Sequence, residues 1–158
     1  MPSVTVRPMT PTEFARVLAD ADEDYAARQV EAGLWAPEGA LERAAAETTK
    51  YLPDGIRTPR TLLLRGVDEH GVGVGSAWVA LDNPNGVPDT AFLFELLVDP
   101  SRRGSGYGRA LLAAVEQATR DAGAPALALN VFGANHVAIA LYASAGYDVT
   151  AQQMRKAL

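Results

Sequence analysis

The chain has 158 residues, enough for a single domain whose core needs no cross-links. A net charge of −5 argues against non-specific nucleic-acid binding and leaves cationic small molecules as partners, while 48% hydrophobic and 21% charged residues exclude a disordered chain. Having no cysteine excludes disulfides, thiolate metal sites and a covalent cysteine intermediate, and two histidines are too few for a histidine-rich metal site. No stretch approaches the ~20 apolar residues of a membrane helix, and Met1 to Arg7 has no apolar signal core, so the expectation is a cytoplasmic protein without membrane contact.

Val4-Thr5-Val6-Arg7 alternates and meets Pro8, which predicts a short first strand. From Thr12 to Gly33 apolar residues recur at helical spacing, with Asp20, Asp22, Glu23 and Asp24 crowding the middle. A second helix opens near Pro37 and Glu38, carries Leu41, Ala45 and Tyr51, and ends before Pro53-Asp54-Gly55. Thr61 to Val67 and Val72 to Leu81 read as a hairpin around Asp68-Glu69-His70-Gly71. After an irregular loop, Ala91 to Val98 is apolar on both faces except at Glu95, the pattern of a central strand covered on both sides. A helix from about Gly106 to Ala122 presents Tyr107, Leu111, Val115, Ala118 and Ala122 on one face, and Gly123 and Pro125 close it. Leu127, Leu129 and Val131 alternate as a further strand, Asn135 caps a helix that ends at Gly146, and Tyr147 to Met154 is expected to form the last strand. The expected order is β-α-α-β-β-β-α-β-α-β.

Between the Ala91 strand and the following helix lies Asp99-Pro100-Ser101-Arg102-Arg103-Gly104-Ser105-Gly106-Tyr107-Gly108-Arg109. Alternate glycines let successive N–H groups point into one concavity, and the helix behind adds its free amides and the positive end of its dipole. Arg109 stands where a dinucleotide fingerprint needs its last glycine, and no Gly-Lys-Ser/Thr is present, so neither better-known phosphate loop fits. Gly71-Val72-Gly73-Val74-Gly75 repeats the spacing but runs into a strand, so its glycines read as structural. Downstream, Asn135, Ala138 and Tyr142 stand at i, i+3 and i+7 of the later helix, which puts them on one face with a small residue between two polar ones.

The run Arg103-Gly104-Ser105-Gly106-Tyr107-Gly108 resembles the R-x-x-G-x-G signature of the GNAT superfamily of N-acetyltransferases, and Asn135, Ala138, Leu141-Tyr142 and Gly146-Tyr147 resemble its later block. The likeness covers about Ala91 to Met154; the first half agrees only in element order. It implies an α/β (α+β) fold with a mixed, mostly antiparallel central sheet of about six strands, helices on both faces and a β-α-β acetyl-CoA-binding core in a single domain spanning 1–158. It further implies direct transfer of acetyl from acetyl-CoA to an amine, with no metal. Arg103, Gly104, Ser105, Gly106, Tyr107 and Gly108 would hold pyrophosphate, with Arg102 and Arg109 as countercharges. The backbone of Leu97 and Val98 would hold the pantetheine and acyl group, Asn130 and Asn135 would orient the cofactor arm, and Tyr142 would protonate the departing thiolate.

Glu95, the lone charged side chain of its strand, is the candidate general base, since burial raises a carboxyl pKa towards usefulness; pairing with an arginine or substrate is the competing role. Asp20, Asp22, Glu23, Asp24 and Trp35 lie where the resemblance puts the acceptor pocket. A small-molecule amine is the expected acceptor, with a protein N-terminus or lysine, or a noncatalytic acyl-CoA sensor, as alternatives. Many relatives in that family pair, which leaves a homodimer open.

Overall fold

Each run of alternating or continuous apolar residues before position 130 forms a strand, and these assemble into one sheet in sequence order. The computed structural model describes residues 1–158, with strands β1 (Thr5–Pro8), β2 (Thr61–Val67), β3 (Gly73–Ala80), β4 (Ala91–Val98) and β5 (Leu127–Leu129). The first four pair antiparallel, and β5 joins β4 in parallel after a crossover. The helices are α1 (Pro11–Glu31), α2 (Ala40–Tyr51), α3 (Tyr107–Asp121) and α4 (His136–Ser144), with single turns of 3-10 helix at Gly55–Arg57 and Pro100–Arg102.

The entry to α1 is set by a capping box. Thr10 Oγ1 accepts from the Glu13 amide at 3.2 Å, and Glu13 accepts from the Thr10 amide at 2.9 Å. Arg7 grips the same carboxylate with two nitrogens at 2.8 and 2.7 Å and holds its pKa down to about 2.

Helices cover both faces of the sheet. On one, α3 lays Leu111, Leu112 and Val115 over Leu64, Ala77, Val79, Ala91 and Leu93. On the other, α1 packs Phe14, Val17 and Leu18 against Met9, Leu52, Leu63 and Trp78. The close seating of α3 depends on missing side chains: a Cβ at Gly66 would lie 2.5 Å from Leu111 Cδ1, and one at Gly75 would lie 2.7 Å from Leu111 Cδ2 and against the Leu97 carbonyl oxygen.

Strand β4 is irregular at one point. Trp78 stands opposite Glu95 and Val79 opposite Leu93, so Phe94 is an extra, bulged residue. Before it, Leu93 faces α3; after it, Leu96 and Val98 face α3, while Phe94 and Glu95 both point to the α1 side.

The C-terminal segment departs from its sequence pattern. Tyr147 to Met154, expected as the last strand, forms no strand, so the sheet has five strands rather than about six. The segment alternates in strand fashion, but alternation expresses only a preference for a half-buried pleated surface. Its residues pair with no strand; Val149 is 74% and Met154 91% exposed.

Candidate functional site

The turn between β4 and α3 is held open by Gly104 and Gly106, whose φ angles of 74° and 82° lie in the left-handed region. Gly106 is the N-cap of α3 and supplies no side-chain cap. Its carbonyl accepts the first helical bond, from Ala110 at 3.3 Å, and the backbone amides of Gly104, Ser105, Gly106, Tyr107, Gly108 and Arg109 donate to no acceptor in the protein. Six consecutive free N–H groups at the positive end of a 15-residue helix make a site for an anion with several oxygens.

Three arginines flank the turn, and they differ. Arg102 is engaged by Asp68 at 3.2 Å and by the Tyr107 hydroxyl at 3.3 Å. Arg109 donates to Ser144 Oγ at 2.6 Å, tying α3 to α4. Arg103 anchors its Nε on the Val98 carbonyl at 3.1 Å and pairs with no carboxylate, which leaves the rest of its guanidinium for an incoming anion. Below the turn, the buried Arg65 binds Asp99 through two nitrogens at 3.0 and 2.5 Å and the Gly75 carbonyl at 3.0 Å, locking the end of β4 to β3.

Beside the turn the sheet splits. β5 pairs with β4 only over Ala91, Phe92 and Leu93, so β4 runs on alone on that side. The Asp99 amide donates to the Val74 carbonyl at 2.9 Å, and alternation along the strand then turns the amides of Leu96 and Val98 into the split while that of Leu97 faces β3. Free strand amides opening next to a helix N-terminus form a continuous row of donors.

Glu95 on the α1 side of β4 and Tyr142 packed against the cluster under α3 lie near enough for the charge of one to act on the other. Glu95 is largely buried and its carboxylate accepts no hydrogen bond and forms no ion pair; burial first, then the nearby charges of Asp24 and Asp22, raise its pKa to about 8 against the opposing pull of Arg28. Tyr142 is raised to about 12, chiefly by burial and further by the Glu95 charge. Its ring is braced edge-on by Tyr147 at 5.6 Å, and Tyr147 is fixed by its hydroxyl's bond to Glu116 at 2.9 Å.

The structure brings together Glu95, Val98, Arg103 to Arg109 and Tyr142 around β4, α3 and α4. Asn135 caps α4, its Oδ1 accepting from the Ala138 amide at 3.2 Å, which leaves its Nδ2 as a donor. Asn130 lies exposed just past β5. Of the acidic residues on α1, Asp22 accepts from the Thr48 hydroxyl at 2.5 Å and Asp24 pairs with Arg28 at 2.8 Å. Trp35 packs edge-on to Tyr25 at 5.3 Å, with Arg43 over its ring at 4.2 Å. No group of three metal-ligating side chains occurs, and no helix is long and apolar enough to cross a membrane. Ser76 and Trp78, which nothing in the local sequence marks, line the same cleft as Glu95; their place depends on strand register.

A family model described as the acetyltransferase (GNAT) family matches residues 20–147. The chain is 33% identical over 157 residues to the uncharacterized N-acetyltransferase YycN of Bacillus subtilis, with 99% of each chain covered, and the crystal structure of that protein superposes with a TM-score of 0.92. It is 33% identical over 149 residues to an aminoglycoside N(6')-acetyltransferase type 1 of Stenotrophomonas maltophilia, covering 92% of this chain and 87% of the other. The PaiA N-acetyltransferase of Thermoplasma acidophilum, solved in complex with coenzyme A, shares the fold at a TM-score of 0.66 and 17% identity, covering 96% of this chain and 93% of the other. The chain therefore belongs to the GNAT family of N-acetyltransferases, and is an acyltransferase.

Proposed function

We propose that the protein transfers acetyl from acetyl-CoA directly to a primary amine of a small cationic molecule. The observation that carries this reading is the run of six free amides from Gly104 to Arg109 beside the open edge of β4. Pyrophosphate fits that run, with Arg103 as its countercharge, and the Val98 amide and Asn135 Nδ2 are donors for the adjoining pantetheine arm. The coenzyme A complex of the PaiA enzyme supports the choice of cofactor for this fold. Bound there, acetyl-CoA supplies the acyl group as an activated thioester.

The side chains divide the proton work. An amine attacks only when neutral, and Glu95, held near neutrality in pKa, accepts its proton as the N–C bond forms. Tyr142 gives its proton to the sulfur as the C–S bond breaks. A phenol at about 12 facing a thiol near ~8.5 is a reluctant acid, about 3.5 units uphill. Part of that elevation comes from the Glu95 charge, which disappears when Glu95 takes up the amine's proton. Protonation of the base thus strengthens the acid, and the two steps support each other.

Asp22 and Asp24 beside Glu95, with a net charge of −5, favour a cationic acceptor, and the name of the Stenotrophomonas relative points to the same chemical class. The test is release of coenzyme A thiol across polyamines, aminoglycosides, amino acids and lysine peptides. Cationic small amines should stimulate release, with kcat/KM rising with pH through about 8 as Glu95 ionises. Tyr142→Phe should lower kcat by about 10²-fold with cofactor affinity unchanged. Stimulation by lysine peptides alone would reassign the acceptor to proteins, and acetyl-CoA binding without release for any amine would favour a sensor.

A further inference from the structure

The cleft that holds Glu95 contains two other polar groups without partners. It lies between α1 and the sheet and is otherwise apolar, walled by Met9, Phe14, Val17, Leu18 and Leu63. Trp78 is 9% exposed and its Nε1–H, fully buried, finds no acceptor in the protein. Ser76 is 3% exposed and its hydroxyl makes no hydrogen bond. Ser76 and Trp78 sit two residues apart on the same face of β3, and Trp78 stands directly opposite Glu95. The Phe94 bulge turns Glu95 to this side, and the Trp78 ring is stacked on Phe94 at 4.3 Å and 21°, which fixes the direction of its N–H.

Ser76, Trp78 and Glu95 line this one narrow cleft, and an indole N–H, a hydroxyl and a carboxylate are the kinds of polar partner, two to four in number, that a buried water takes. We infer that Ser76, Trp78 and Glu95 share one internal water, and that Ser76 and Trp78 are thereby positioning residues for the carboxylate. The water accepts a hydrogen bond from the Trp78 indole N–H and donates one to the Ser76 hydroxyl oxygen and one to a Glu95 carboxylate oxygen. The other side of the carboxylate remains for the amine. A donor aimed at the carboxylate favours its charged form, so the bridge restrains the upward push of burial and of the neighbouring charges. The titratable and charged groups around Glu95 are Asp22, Asp24 and Arg28 from α1 and Tyr142 from α4; β3 contributes only the neutral pair. This inference rests on Glu95 as the base for its catalytic meaning, but not for its existence.

Two measurements separate those claims. In ¹⁵N-labelled protein the two indole resonances, assigned with Trp35→Phe, are followed from roughly pH 6 to pH 10. The Trp78 resonance should titrate together with Glu95, with a midpoint at or below about 8, and lose that titration in Glu95→Gln. In the kinetic profile, Trp78→Phe should move the rising limb of kcat/KM up by about half a unit to one unit, with the rate recovering at high pH, and Ser76→Ala should move it less. A structural role alone would lower the rate at every pH. A Trp78 resonance that stays constant, or that titrates unchanged in Glu95→Gln, overturns the bridge, as does an unmoved limb in both variants. If the resonance follows Glu95 but Glu95→Gln keeps the wild-type rate and profile, the bridge stands and the base assignment falls.

Discussion

Gly71-Val72-Gly73-Val74-Gly75 and Gly104-Ser105-Gly106-Tyr107-Gly108 share one spacing and put their glycines to opposite uses. In the first, Gly71 only turns the hairpin, at φ 75° with open space around it, and at Gly73 and Gly75 the missing side chain is what counts. The buried Arg65 guanidinium occupies the place of a Gly73 Cβ, and the Leu97 carbonyl and Leu111 occupy that of Gly75. In the second, nothing in the protein lies within 4 Å of a Gly104 Cβ, and a Gly108 Cβ would meet only Val98 and Leu141 at 3.6 and 3.7 Å. There the backbone counts, through positive φ angles and amides with no partner in the protein. The two are also linked, because the space at Gly66 and Gly75 lets α3 settle onto the sheet and brings its N-terminus to the end of β4. Glycine spacing is therefore ambiguous by itself, and the element next in the chain decides its meaning.

The largest effect should come from the first segment. Gly75→Ala drives a methyl into a backbone oxygen that cannot move aside, and should cost about 3 kcal/mol, a fall in Tm of roughly 6–12 °C by thermal denaturation without ligand. Gly108→Ala should do the reverse: the site is helical and the methyl would meet only Val98 and Leu141 at ordinary contact distance, so Tm should hold or rise slightly and coenzyme A affinity by calorimetry should change little. Should Gly108→Ala lower Tm as far as Gly75→Ala does, the two segments would be alike and the comparison would break. The smallest effect belongs to Arg103→Ala. An exposed cation should be worth about 1 kcal/mol or less of cofactor affinity, and the loss should shrink as salt rises.

These contrasts also explain what the sequence made legible. The turn into α3 could be read because its signal is local: alternate glycines, a preceding strand and a following helix. The Asn135 cap could be read for the same reason. The side to which Glu95 points could not, because the Phe94 bulge reverses the parity of β4, and without it Glu95 would face α3 rather than the cleft under α1. Trp78 and Ser76 were hidden by the same dependence on register. The expected strand from Tyr147 to Met154 failed in the opposite sense, since a good strand pattern cannot report whether a sheet edge accepts it. Among the arginines, type alone could not tell that Asp68 and Ser144 engage Arg102 and Arg109 while Arg103 stays available.

The central claim is that the Gly104 to Arg109 amides bind pyrophosphate, and the most direct test compares calorimetric titrations of the wild-type protein with 4′-phosphopantetheine, which carries the first phosphate of that group, and with pantetheine, which lacks it. Two or more charge-assisted bonds of about 1.5–3 kcal/mol each predict that pantetheine binds at least about 100-fold more weakly. Equal affinities for the two would contradict the account.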